Sequence, residues 1–333
     1  MNTTQKLYMM NQFPNNPDQQ VTLANWRTSP YNKWAFQHVR ELVPSANIQN
    51  NPSKAQNLPQ EKYDFSAVKV ELDNQSQLTY EEFLKITDTD ALIILKDGII
   101  IEERYFHEMA RSTPHILMSV SKSILGLLIG ILIDQKIFKA ADKVCAILPE
   151  LNSTAYKEAT IRDLLDMRTG VTFVEDYLAT SGLMIDYRKA TNWNPLENNE
   201  APSDLRSFYR LLDKKSHPDG KQFNYVSPNS DLLGWIIERS TGERFSDLLS
   251  DLFWKPLGAT MPSYITVDRL GAPRVAGGLC TTAVDLALVG QLFLDYGFTN
   301  GQQILPKKKL KFIQEDITTL IEVFIKNLQK KPV

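Results

Sequence analysis

A serine stands three residues before a lysine at the mouth of a long apolar run. Leu117-Met118-Ser119-Val120-Ser121-Lys122-Ser123 leads into Ile124-Leu125-Gly126-Leu127-Leu128-Ile129-Gly130-Ile131-Leu132-Ile133. Residues three apart on a helix share a face, so the two side chains can touch. Ser119 falls where the helix is predicted to begin, with unpaired backbone N–H groups directed toward its oxygen. Lys122 lies one turn in, against the apolar run. Desolvation disfavours an ammonium, which lets a lysine accept a proton near neutral pH. A serine beside such a lysine is an activated nucleophile. The spacing alone discriminates poorly: Ser66-Ala67-Val68-Lys69 has it too, with no apolar helix behind it.

Two tyrosines extend the pattern. Tyr225-Val226-Ser227 sits on a loop just before a predicted helix over Ser230 to Ser240. A nearby ammonium favours the phenolate, so Tyr225 could carry a proton between nucleophile and leaving group. Tyr177, in Glu175-Asp176-Tyr177, falls on a predicted long loop over residues 171–203, where its phenol could hydrogen-bond a substrate. For a loop tyrosine taken alone, packing is the more ordinary role.

Around these residues the chain reads as an ordinary globular protein. Its 333 residues suffice for one large or two modest domains, and a net charge of -2 gives no footprint for nucleic acid. Cys145 and Cys280 are far apart and in no metal spacing, so no disulfide framework is implied. His38, His107, His115 and His217 are scattered, without a metal signature or other sign of a cofactor. Met1 to Gln20 is polar and carries no signal pattern, and Ile124 to Ile133 is too short to span a bilayer. The expectation is a cytoplasmic protein without membrane or nucleic-acid partners.

The elements that must position the residues follow from local signals. Residues 1–62, rich in Asn, Gln and Pro, read as an extended N-terminal arm pinned by Trp26, Tyr31, Trp34 and Phe36. The body is then residues 63–333. A short helix is predicted over 79–86. Asp97-Gly98 between two runs of β-branched residues predicts a hairpin over 91–105, apolar enough to expect cover on both faces. A mostly helical subdomain follows over about 140–260, with Thr160 capping Ile161-Arg162-Asp163-Leu164-Leu165. Thr281 or Thr282 caps a further helix through Asp295. From Pro306 onward Leu310, Ile313, Ile317, Leu320, Phe324 and Leu328 recur at helical spacing.

Taken in order, these motifs resemble the serine β-lactamase and penicillin-recognising family, in the branch of class C β-lactamases and family VIII esterases. They are Ser119-x-x-Lys122 before an apolar helix, Thr160 to Leu165, Tyr225-x-Ser227 before Leu232-Leu233-Gly234-Trp235, and Gly277-Gly278 before Asp285-Leu286-Ala287. Asn32-Lys33-Trp34-Ala35-Phe36 and Glu175-Asp176-Tyr177 are similar to an amide-hydrolase member of the family related to carboxylesterases. The resemblance runs from about Trp26 to Leu305. It implies an α+β fold of the β-lactamase/transpeptidase type, an antiparallel sheet flanked by helices beside a mostly helical subdomain. It implies hydrolysis of a small-molecule ester or amide without a cofactor. Ser119 would form the acyl-enzyme, Lys122 would assist its deprotonation, and Tyr225 would shuttle the proton. Tyr177 and Ser227 would contact the substrate, and Asp186 matches an acidic loop residue that favours an amino-bearing substrate. Ser227 stands where class C β-lactamases carry asparagine, which points to the esterase and amidase side.

One family feature has no counterpart. The third motif, a Lys, His or Trp followed two residues later by Gly on a late strand, is not found after Leu292. In the family that region supplies sheet strands and one of the two oxyanion donors. The expectation is therefore a C-terminally shortened member with its final sheet strands absent. Its activity is either retained or, as the alternative reading, impaired, leaving a non-catalytic scaffold. A true β-lactamase or penicillin-binding protein is the third reading. An open sheet edge would also leave room for a homodimer.

Overall fold

The computed structural model describes residues 9–72 and 76–307. Within them a four-stranded antiparallel sheet, in the order Ser45–Ile48, Ser263–Thr266, Leu279–Thr281, His115–Ile116, backs the site. The arm does more than wrap the body. Its Ser45–Ile48 segment supplies an edge strand, pairing Ala46 with Ile265 and Ile48 with Ser263. Polar arm residues hide this, because only Ala46 and Ile48 face the core while Asn47 points outward. Trp26 is fully buried, edge-on to Trp193 and Phe36, so the arm is pinned by aromatics as its composition implied.

The apolar run forms the Ser121–Asp134 helix, entered through a 3-10 turn over Met118–Val120. Ile124, Leu125, Leu128, Ile129 and Leu132 are all almost wholly buried. At about 1.5–3 kcal/mol for each such side chain, this helix is among the firmest anchors in the chain. It packs against the Ser227–Thr241 helix, which ends at Gly242 in the left-handed conformation a terminal glycine allows. Thr160 and Asp163 form a reciprocal capping box on Ile161–Leu165. Tyr80–Ile86 and Ala283–Leu294 lie close to where the sequence places them, the latter capped by Thr282.

Two expectations need correction. The stretch over 171–203 is not one loop: it holds the Leu183–Ala190 helix, which begins after Gly182 and carries Asp186, Tyr187 and Arg188. The segment is short, and the unbroken apolar run Leu183-Met184-Ile185 masks the helical spacing of Met184, Tyr187 and Ala190. The hairpin forms as Ala91–Lys96 and Ile99–Tyr105 with Asp97-Gly98 at its tip, yet most of its residues are only half-buried. Its cover among the described residues is the Ala283–Leu294 helix against one strand and the arm against the other. There Ile100 N–H bonds the Pro59 carbonyl at 2.8 Å, and Glu61 N–H bonds the Ile100 carbonyl at 2.9 Å. After Gly242 the chain forms the Phe245–Leu249 helix and then a π-turn over Ser250–Trp254.

The helix expected from Pro306 lies outside the described residues. Among the described ones, the strands after Thr281 are Phe298–Thr299 and Gln302–Gln303, paired with each other, so the late strand of the third motif is not found there. No helix among the described residues is long and apolar enough to cross a membrane.

Candidate active site

Ser119 is set by a sharp change of direction between strand and helix. Leu117 N–H bonds the Leu279 carbonyl at 2.8 Å, which holds the strand end to the sheet. Met118 then takes φ 46°, left-handed backbone that a bulky residue seldom adopts. The chain turns directly into the helix, and Ser119 is left exposed at its mouth. The turn is seated on Gly277-Gly278. A Cβ at Gly278 would come within 2.1 Å of Thr266 Oγ1, and one at Gly277 within 3.2 Å of the Trp193 ring, with Met118 backbone at 3.8 Å. A side chain at Gly278 would also meet the Arg274 carbonyl at 2.9 Å, so that position accepts only glycine without a shift of its neighbours.

Two side chains converge on the serine. Lys122 Nζ donates to Ser119 Oγ at 3.1 Å, and the Tyr225 hydroxyl donates to the same oxygen at 2.9 Å. Lys122 Nζ also lies 5.1 Å from the centre of the Tyr225 ring. The second Ser-x-x-Lys match has no such arrangement. Ser66 lies in a turn and Lys69 in the strand Lys69–Glu71, so the pair never shares a helix face. Ser66→Ala is accordingly expected to leave ester hydrolysis within about twofold of wild type and stability within about 0.5 kcal/mol, as checked by initial rates and a urea melt.

Lys122 is aimed from behind by a buried chain of contacts. Its Nζ donates to the Ala276 carbonyl at 2.7 Å, and the Ala276 N–H donates to Asp231 Oδ1 at 2.8 Å. Asp231 Oδ2 accepts from Arg274 Nη1 and from the Tyr187 hydroxyl. Asp231, Arg274 and Tyr187 are all almost completely buried. Burial opposes the Arg274 charge, but the Asp231 carboxylate more than offsets it and holds the guanidinium above its ordinary pKa.

Ser227 and Tyr177 are joined by a residue to which the sequence alone assigns no role. The Glu175 carboxylate accepts from Ser227 N–H and from Ser227 Oγ, both at 2.6 Å, and from the Tyr177 hydroxyl at 2.7 Å. A carboxylate on the first N–H of the Ser227–Thr241 helix is favoured by the helix dipole. Partial desolvation, and then the bond to Glu175, raise the Tyr177 phenol above its ordinary pKa, so it stays a hydrogen-bond donor at neutral pH. Asp186 is not brought to this cluster. It lies part-exposed on Leu183–Ala190, near Lys189, whose ammonium is held chiefly by Glu200 at 2.6 Å.

The geometry therefore unites Ser119, Lys122 and Tyr225, holds Tyr177 and Ser227 beside them, and leaves Asp186 aside. Sequence reasoning missed Glu175, Asp231 and Arg274. A signal for Asp231 existed: it is an acid four residues after Ser227, directly before Leu232-Leu233, where a carboxylate must be paired to be buried.

A family model described as Beta-lactamase matches residues 83–314. The 6-aminohexanoate-dimer hydrolase of Paenarthrobacter ureafaciens is 32% identical over 284 residues, covering 85% of this chain and 70% of that protein. A solved Bacillus anthracis chain provisionally assigned the same hydrolase name superposes with a TM-score of 0.83 at 27% identity, over 90% of this chain and 78% of the other. An octameric penicillin-binding protein homologue from Pyrococcus abyssi shares the fold at a TM-score of 0.55 and 18% identity, over 69% of this chain and 57% of that one.

Proposed function

This chain belongs to the β-lactamase family and has its β-lactamase/transpeptidase-like fold, and from that premise we propose that it is a serine hydrolase that opens an ester or amide through an acyl-enzyme at Ser119. The observation that carries the reading is the convergence of Lys122 Nζ and the Tyr225 hydroxyl on one oxygen, Ser119 Oγ. In the proposed step Oγ attacks the substrate carbonyl while its proton passes to the Lys122–Tyr225 pair. The tetrahedral adduct then collapses as Tyr225 returns that proton to the departing alcohol or amine. Water repeats the sequence on the acyl-enzyme, with Tyr225 first taking and then returning a proton, so Ser119 is regenerated. The Ser119 N–H, at the helix mouth, is one donor available to the oxyanion. The amide half of the proposal is supported by the name of the Paenarthrobacter relative, and by Tyr177, whose hydroxyl stays protonated beside the site.

A fluorophosphonate probe is expected to label the protein at Ser119, as read by peptide mass, and 4-nitrophenyl butyrate is expected to be turned over. Absence of labelling in cooperatively folded protein would sink the proposal. Tyr225→Phe removes the proton carrier but keeps the ring over Lys122. Its kcat should fall by about 10²–10⁴, the usual contribution of a positioned acid–base group, with KM little changed. An unchanged kcat would remove Tyr225 from the mechanism.

A further inference from the structure

Behind Tyr177, three arginines crowd a pair of tryptophans. Trp26 and Trp193 meet edge to face with centroids 5.2 Å apart, and Trp26 Nε1 donates to the Trp193 carbonyl at 3.0 Å. The Arg274 guanidinium lies 4.9 Å from the Trp193 ring centre and that of Arg27 lies 5.8 Å from the Trp26 ring centre. Arg188 is joined to the same pair through its carbonyl, which accepts from Trp193 N–H at 2.8 Å. The Trp193 ring in turn borders Gly277, and Met118 borders that glycine too, one residue before the nucleophile.

This much positive charge is under-partnered. Arg274 has Asp231, but among the described residues Arg27 and Arg188 have no carboxylate within ion-pair reach. Arg27 donates once, to Asn194 Oδ1, and Arg188 once, to the Tyr177 carbonyl at 2.8 Å. The Nε atoms of all three arginines are buried without an acceptor, and Arg188 is only 6% exposed. A guanidinium has five N–H donors, and buried donors left without acceptors are costly and uncommon. Nearby acids do not answer them. Glu175 is held by Ser227 and Tyr177, and Asp176 bonds Leu178 N–H at 2.8 Å, attracting Arg188 without pairing to it. Burial and repulsion by Arg188 and Arg274 push the Arg27 guanidinium down to about 10, still charged at neutral pH. Arg27 and Arg188 thus stand buried or half-buried with one acceptor each and no carboxylate.

We propose that Arg27 and Arg188, backed by Arg274, form a subsite for a carboxylate carried by the substrate. The proposal rests on the hydrolase reading above and narrows its substrate class to esters or amides that bear a carboxylate. The planar guanidinium fork matches a carboxylate in a way a lysine cannot. It also sets the charge preference opposite to the one the Asp186 match implied.

The test compares three esters on purified full-length protein. They are 4-nitrophenyl butyrate, mono-4-nitrophenyl glutarate with the carboxylate on the acyl side, and 4-butyryloxybenzoate with it on the leaving group. One of the carboxylated esters is expected to exceed its neutral counterpart in kcat/KM by about tenfold or more, chiefly through KM, as charge-assisted hydrogen bonds allow. Which of the two is preferred assigns the side. Arg188→Met should erase the ratio, Arg188→Lys should restore part of it, and the half-buried Arg27→Gln offers a second route if Arg188→Met does not fold. A binding readout needs no turnover: glutarate should raise the melting temperature of Ser119→Ala protein, and 1,5-pentanediol should not. Equal kcat/KM for all three esters, with no glutarate shift, overturns the subsite and leaves the hydrolase reading intact. No labelling and no turnover, with the glutarate shift preserved, overturns the hydrolase reading and leaves the subsite.

Discussion

Ser119→Ala is expected to abolish ester turnover, by about 10⁴–10⁶-fold in kcat, the scale on which a covalent hydrolase fails without its nucleophile. It should do so without unfolding the protein. Ser119 is exposed, so no cavity opens. Nothing buried is orphaned either, because Lys122 keeps the Ala276 carbonyl and Tyr225, 37% exposed, can turn to water. The urea midpoint should therefore match wild type within about 0.5 kcal/mol, as for surface substitutions generally. Both measurements are needed on one preparation. Residual turnover within tenfold of wild type would transfer the chemistry to another residue. A large loss of stability would mean that Ser119 holds the turn from Met118 rather than serving as a nucleophile. The contrast with Ser66→Ala makes the point physical: two identical spacings, of which only one is carried on a helix and faced by a tyrosine hydroxyl.

That contrast also marks how far the sequence could be read. Signals that act over a few residues were legible: Thr160 announces Ile161–Leu165, Asp97-Gly98 announces the hairpin tip, and the apolar run announces the helix that presents Ser119. Ser119, Lys122 and Tyr225 were legible as a set because each precedes or opens such an element. What stayed hidden depends on pairings far apart in the chain. Ser45–Ile48 becomes a strand only because Ser263–Thr266 is there to pair with it, and nothing in Ser-Ala-Asn-Ile says so. Glu175 is one acid on a polar loop until Ser227, 52 positions on, gives it two donors. Leu183–Ala190 is stabilised by burying Tyr187 against Asp231 and Arg274, so its helicity is a tertiary property that local propensity underrates.

The Asp231–Arg274 pair should show the largest stability effect in the molecule. Both groups are almost fully buried, and removing one partner leaves an uncompensated charge in a low-dielectric interior. Asp231→Leu and Arg274→Met are each expected to cost about 3–5 kcal/mol in a urea melt, the range for broken buried pairs. The double variant Asp231→Leu with Arg274→Met removes both charges, so it should lose markedly less than the sum of the singles. A coupling of roughly 1–3 kcal/mol in the double-mutant cycle is the expected signature of a desolvated pair in contact. Additive losses would mean that each side chain acts through packing alone. The double variant also separates folding from chemistry. Where it folds cooperatively, the Ala276 N–H has still lost Asp231, and the carbonyl that aims Lys122 at Ser119 has lost its anchor. Its kcat should then fall while KM for a neutral ester stays near wild type, because misplacing a group by an ångström slows the chemical step without loosening ground-state binding. A double variant with unimpaired kcat would confine the buried pair to stability and leave Lys122 to be oriented by the Ser121–Asp134 helix alone.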